Sequence, residues 1–276
     1  MESYIKKKMP SWCEDTKTDY KLLITDDLDS LMCYNYQRDK FNRECYYFYN
    51  QHHEDDKQII YKTDNINVND ILALDCALDI NIRAWDNHVV KVTKDDDYNK
   101  LSANLNIVKN VNSKSYKYKA CVSSYITMLS YYSEFIFIWS DYMKAVLCAI
   151  DGLYKPFLPE KEQFKEIAKE NLRLLNCGYL IEFMEDENNI KLIERLKQEL
   201  NLGGHMFVGD DMKLHTDIDL KGLSDIFNYE IKLPDVQFTD SKILNKHEVN
   251  YITEKPKGCF NFALTYKNSA VYSKFI

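Results

Sequence analysis

The chain has 276 residues, 45% hydrophobic content and a formal net charge of -7, which supplies a sizeable core but no general field to attract a long nucleic acid. Its eight cysteines are scattered without a CxxC pair, a pattern of reduced thiols in a cytoplasm that argues against a zinc knuckle or disulfide frame. The lysines of "MESYIKKKMPSWCEDTKTD" have no apolar stretch behind them, and "FIFIWSDYMKAVLCAI" is cut by Asp141 and Lys144, so neither a secretory signal nor a membrane span is expected.

Taken in chain order, "YKLLIT" (20–25) is a short apolar run that stops at acids, as a buried strand does, and Leu28, Leu31, Met32 and Tyr36 follow at helical spacing. "ECYYFYN" (44–50), "QIIYK" (58–62), "DILALD" (70–75) and "INIRAWD" (80–86) are further β-rich runs bounded by Asn, Asp and Lys. "QHHEDD" (51–56) is polar and reads as an exposed loop, because adjacent histidines in a strand would face opposite sides. Residues 95–120 carry no strong element signal and are expected to be loop. "SSYITMLSYYSEF" and "DYMKAVLCAIDGLY" read as core helices, with Ser123 or Ser124 and Ser140 or Asp141 as N-caps.

"LPEKEQFKEIAKENLRLLNCG" places Phe164, Ile167, Ala168, Leu172 and Leu175 on one helical face with Gly178 as a stop. "DENNIKLIERLKQELNLGG" repeats the pattern with Asp186 as cap and Gly203 as stop. Beyond it, "HMFVGDDMKLHTD" and "KGCFNFALTYKNSAVYSKFI" alternate as antiparallel strands do. The expected fold is α/β: a parallel-rich sheet flanked by helices over 1–157, a helical connector over 158–202, and a smaller β-rich α+β C-terminal domain over 203–276. The surplus of lysine over arginine, with abundant Asn and Tyr, matches translation of an AT-rich bacterial or phage genome.

The candidate chemistry lies where strands end. "LLITDDLDSLM" puts Asp26, Asp27 and Asp29 on one turn between a strand and a helix, and carboxylates so placed can share a hard divalent cation. "ALDCALD" adds Asp75 and "RAWDNHVV" adds Asp86, Asn87 and His88, while "AVLCAIDGLY" ends its helix at Asp151. Acids at several strand ends, each preceded by apolar residues, are the usual build of a carboxylate metal centre in a sheet protein. Lys242, Lys246, His247, Lys255 and Lys257 make a loosely basic stretch suited to phosphate or to solvent. No Gly-rich phosphate loop, GxSxG elbow or HExxH is present.

This ordered set, "DLD", a lone strand-end Asp, "DNH" and a late Asp, resembles the DHH phosphoesterase family over residues 20–155. The resemblance implies an N-terminal α/β domain with a Mn2+ or Mg2+ pair and a C-terminal domain closing over the substrate. It implies metal ligation by Asp27, Asp29, Asp75 and Asp151, with Asp26 as the nearest substitute for a family ligand that precedes the first motif, where Leu23 and Thr25 stand. His88, in its "DNH" beside Asp86, would contact the scissile phosphate, and Asn87 replaces the first histidine of D-H-H. The family's Gly-Gly loop is matched by Gly203 and Gly204, with His205 beside them; the same glycines also suit a helix stop.

The expected activity is metal-dependent hydrolysis of a phosphodiester or phosphoanhydride in a small nucleotide or short oligonucleotide, without membrane or long nucleic-acid partners and with homodimerisation left open. Two alternatives stand beside it. "LLITDDLDSLM" also resembles the haloacid-dehalogenase phosphatases, with Asp27 as nucleophile, Asp29 as acid/base and Leu31 where that family usually has Thr or Val. Thr25 and Asn87 at ligand positions are equally compatible with a catalytically degenerate DHH-like binding protein.

Overall fold

A computed structural model describes residues 1–52, 56–64, 67–134 and 136–276. In chain order its elements are α1 (Ser3–Lys6), β1 (Lys21–Thr25), α2 (Leu28–Phe41), β2 (Cys45–Asn50), β3 (Lys57–Lys62), β4 (Ile71–Leu74), β5 (Arg83–Trp85), β6 (Ser102–Ala103) and α3 (Leu105–Val108). There follow α4 (Ser124–Tyr131), α5 (Asp141–Ala149), α6 (Lys165–Leu174), α7 (Tyr179–Glu185), α8 (Glu187–Glu199), β7 (Met206–Val208), β8 (Leu214–Thr216), α9 (Leu220–Phe227), β9 (Asp240–Asn250), β10 (Asn261–Tyr266) and β11 (Ser269–Phe275). Among the described residues no helix is long and apolar enough to cross a membrane.

The main sheet runs β10-β11-β9-β3-β2-β1-β4-β5-β6. From β2 to β6 every pairing is parallel, and from β2 outward through β3, β9, β11 and β10 every pairing is antiparallel. The class is α/β as expected, but the sheet is mixed. The strands assigned to a separate C-terminal domain extend this sheet instead: β9 pairs with β3 from Lys57↔Asn245 to Lys62↔Asp240. Only β7 and β8 form a sheet of their own.

The alternation of side chains along each strand explains the layering. Leu22 and Ile24 of β1, Leu72 and Leu74 of β4, and Trp85 of β5 enter one core with the helices. Leu23, Ala73 and Ala84, between them, enter a second core. In a doubly wound sheet helices would cover that second face; here the curl of the C-terminal strands does so, bringing Leu244 and Phe260 onto it. The curl brings β10 to the segments after β4 and β5, where Phe262 N donates to Ala77 O at 2.9 Å and Leu264 N to Val89 O at 2.8 Å. Residues 158–202 bridge no lobes: Leu172, Leu180, Ile193 and Leu196 belong to the first core, and α8 packs on α5.

Helix boundaries follow capping chemistry. Ser123 Oγ accepts from Ile126 N at 3.0 Å, Ser140 Oγ from Met143 N at 3.2 Å and Asp186 Oδ1 from Asn188 N at 2.8 Å, each cap worth about 1 kcal/mol. The expected glycine stops are not the residues that turn the chain. Asn176 (φ 55°) and Asn201 (φ 48°) take the left-handed conformations, which Asn tolerates because its side chain bonds locally. Residues 95–120, expected as loop, hold β6, α3 and a 3-10 turn at Ser113–Tyr118; two-residue and four-residue elements are too short for periodicity to reveal.

Arg43 is fully buried without a carboxylate partner within salt-bridge reach among the described residues. Its guanidinium donates to Gln37 Oε1 at 2.6 Å, Asp15 O at 2.8 Å and Thr18 O at 3.1 Å, and lies 4.7 Å from the Tyr20 ring centroid. Arg43→Ala leaves Gln37 Oε1 and Asp15 O without their donor, while Thr18 O keeps Tyr20 N, and is expected to lower unfolding free energy by about 3 kcal/mol in urea titrations. A loss below about 1 kcal/mol would show that water replaces the guanidinium at little cost.

Candidate metal centre

β1 delivers its acids at the carboxyl edge of the parallel strands. Asp27 caps α2, its Oδ1 accepting from Ser30 N at 3.0 Å. Ser30 Oγ in turn accepts from Thr25 N at 2.8 Å and donates to Leu74 O at 3.0 Å, fixing the end of β1 against the end of β4. Asp29, one turn further on and 1% exposed, accepts from Ser124 N at 2.6 Å and Tyr125 N at 2.8 Å. Its carboxylate therefore sits on the first free N–H groups of α4, a favourable place for negative charge.

Asp75 follows β4, and Asp151 lies in the 3-10 turn after α5; both are left-handed, at φ 52° and 53°. For a residue with a Cβ that conformation costs on the order of 1 kcal/mol, and such strain gathers at functional sites. Ser124 Oγ donates to Asp75 Oδ1 at 2.7 Å, and Thr25 Oγ1 to the Asp75 carbonyl at 3.2 Å. After β5, Asp86 accepts from His88 Nδ1 at 2.8 Å and from Asn104 Nδ2 at 2.6 Å. Asn104 also donates to His88 O at 2.8 Å and Asn106 to Asn87 O at 2.7 Å, so two asparagines from the expected loop hold the "DNH" turn.

Among the described residues three groups of potential ligands result, in each of which one donor atom per residue lies within 4.8 Å of the others: Asp29, Asp75 and Asp151; Asp75, Asp86 and His88; and Asp26, His52 and His205. The first two share Asp75, so they are adjacent. Asp26 assembles with the third group instead: its Oδ2 accepts from His52 Nδ1 at 2.9 Å, and the His52 and His205 rings are 4.2 Å apart between centroids. His53, Glu54 and Asp55 of "QHHEDD" lie outside the described residues.

Electrostatics mark the first two groups. Burial, then repulsion from Asp75 and Asp151, pushes Asp27 and Asp29 well above the usual carboxylate range. Burial also raises Asp75 to about 6, with the His88 charge opposing the rise and Asp151 adding to it. Burial works against a charged His88, yet its hydrogen bond to Asp86 and the charges of Asp86 and Asp75 prevail and raise it to about 9. Among the described residues no Lys or Arg forms an ion pair with Asp29, Asp75 or Asp151. Asn87 Nδ2 fills part of that need, donating to Asp151 Oδ2 and lying 3.4 Å from Asp29 Oδ2. An all-oxygen group with Asp29 and Asp75 buried, Asp151 exposed and no described cation paired to it suits a hard divalent cation.

The loop at 203–205 lies beside the third group, with Met206 N donating to Asp26 O at 2.7 Å. A Cβ on Gly204 would meet Asp217 Oδ1 at 2.3 Å, so the Asp217 carboxylate lies directly over this glycine, whereas Gly203 has open space. His205 N donates to the same Asp217 oxygen at 2.9 Å. Sequence reasoning placed Ser124 only as a helix cap, read His52 as part of an exposed loop, and passed over Asn104 and Asn106. The serine pair at the start of "SSYITM" was the sole signal for Ser124; the others are polar residues in polar stretches. The chain matches no family model, no curated protein and no solved structure.

Proposed function

We propose that the chain is a DHH-like, divalent-metal-dependent phosphoesterase that hydrolyses a phosphodiester or phosphoanhydride in a small nucleotide or short oligonucleotide. The observation that carries the reading is the pair of ligand groups joined at Asp75, Asp29–Asp75–Asp151 and Asp75–Asp86–His88. Asp29, Asp75 and Asp151, with Asp27 alongside, would hold one Mn2+ or Mg2+, and Asp75 and Asp86 a second. Such ions, when bound, activate water and offset charge on the transferred phosphoryl group.

The protein's own groups have separable tasks. Asp86 fixes His88 through Nδ1, which leaves Nε2 facing outward for a phosphate oxygen. Asn104 holds Asp86 in place, the kind of support on which ligand orientation depends. Asn87, Gly203, Gly204 and His205 are the proposed further substrate contacts.

The test is metal content by elemental analysis together with Mn2+-dependent turnover of bis-p-nitrophenyl phosphate and p-nitrophenyl phosphate. Diester turnover that is abolished by chelation and falls about 100-fold in His88→Ala is expected. Monoester turnover that survives His88→Ala would instead favour the Asp27/Asp29 phosphatase reading. A second reading, ligand binding without turnover, is favoured by one observation: the Asn87 amide occupies the space between Asp29 and Asp151. It predicts stoichiometric ligand binding with no hydrolysis of either ester.

A further inference from the structure

Asp151 also lines the wall of a cavity of about 370 Å3, a volume at the lower end for small-molecule sites and fitted to one nucleotide unit rather than a polymer. Two features of its lining stand out in a chain of net charge -7. Five lysines surround it, Lys117, Lys119, Lys155, Lys161 and Lys267, and none of them forms an ion pair with a described carboxylate. Beside them lie aromatic and aliphatic groups: Tyr116, Phe164, Ile167 and Tyr266.

The turn that carries Asp151 leaves room for one of these lysines. Gly152, next to Asp151, is left-handed at φ +66°, and a Cβ there would meet the Lys155 stem at 2.7 Å. Glycine thus allows Lys155 to lie directly across the turn that carries Asp151. Lys119 keeps its charge despite burial, helped by Tyr116, Cys121 and Asp151. A phosphate brought to Asp29, Asp75 and Asp151 meets like charge, and cations at the cavity are what would offset it. Tyr266, 71% exposed at the tip of the β10–β11 hairpin, contributes to neither core and stands 6.1 Å from the Tyr116 ring between centroids. An exposed ring at the mouth of a cationic cavity has the chemistry to stack on a flat heteroaromatic ligand.

We infer that this cavity is the subsite for one nucleoside monophosphate unit, with its phosphate on Lys119 and Lys155 beside Asp151 and its base against Tyr266, Tyr116 and Phe164. The direction of the phosphate toward the carboxylates rests on the phosphoesterase reading; the class of ligand rests on the cavity itself. Isothermal titration of the full chain with AMP and with ribose 5-phosphate, each with Mn2+ and with EDTA, tests it.

AMP is expected to bind about tenfold tighter than ribose 5-phosphate, and Tyr266→Ala to erase that margin while leaving ribose 5-phosphate affinity unchanged. Lys119→Gln is expected to weaken both ligands about equally. Equal affinities in the unmodified protein, or a margin that survives Tyr266→Ala, overturn the inference. AMP binding of the expected kind without any diesterase activity keeps the subsite and removes the phosphoesterase. A Mn2+-dependent diesterase with no preference for the base does the reverse.

Discussion

Asp29→Ala is expected to reduce Mn2+-dependent hydrolysis of bis-p-nitrophenyl phosphate by at least about 1000-fold in kcat/KM, the equivalent of about 4 kcal/mol of transition-state stabilisation. The size follows from position. Asp29 is the most enclosed member of its ligand group, with both oxygens held on the N-terminus of α4. Two effects on stability oppose each other. Truncation leaves Ser124 N and Tyr125 N without an acceptor, at a cost of about 1–3 kcal/mol each. It also removes a carboxyl whose charged form is disfavoured by burial and by repulsion from Asp75, Asp151 and Asp27. Asp29→Asn separates the two, since an amide keeps one acceptor oxygen but loses the charge that a cation needs. A folded Asp29→Asn protein that retains its turnover would remove Asp29 from the chemistry and the reading with it.

The second large effect is a reversal in how stability depends on pH. In metal-free protein the folded chain holds extra protons: Asp75 titrates near 6 and burial raises Asp29 well above the ordinary carboxylate range, against about 4 for an unfolded carboxyl. Proton uptake on folding means that stability falls as pH rises through that window. His88 has the same sign, because its stabilising charge is present below about 6.5 and is lost as pH rises through about 9. Carboxyls held down by partners, such as Asp96, act only at and below the ordinary carboxylate range. A bound cation holds the buried carboxylates ionised and reverses the slope.

In EDTA, Tm is therefore expected to fall between about pH 5 and pH 8, while Mn2+ stabilises most at the higher pH. At 100 times Kd the gain is about 2.7 kcal/mol. Differential scanning calorimetry at both pH values measures it. A Tm in EDTA that rises with pH, or a Mn2+ shift that is undiminished in Asp29→Ala, would refute the cation assignment.

Much of the site was legible because it is written in strand ends. The "LLIT" and "LAL" runs, and Ala84 and Trp85 behind Arg83, are apolar for a physical reason, burial on both faces, and each stops where an acid follows. Asp27, Asp29, Asp75 and Asp86 could thus be placed at the sheet's edge without knowing which strands were neighbours. Asp26 could not be separated from them, since only the path of the chain after β2 decides that His52 reaches it. The pocket lysines were beyond reading: Lys117, Lys119, Lys155 and Lys267 come from three distant segments, and an isolated lysine in a polar stretch looks the same whether it meets a cavity or water.

The sequence by itself determined the local elements: the parallel strands with their acidic ends, the capped helices, and the β10–β11 hairpin. Those depend on periodicity, capping and turn chemistry within a few residues. Tertiary structure alone decided that the last strands curl onto the second face of the sheet instead of forming their own domain. β9 exposes a full edge of N–H and C=O groups, and so does β3; pairing them satisfies both, and the curl covers Leu23, Ala73 and Ala84. That choice is a long-range hydrogen-bonding and burial balance between residues nearly 200 apart, for which no local pattern in either strand could speak.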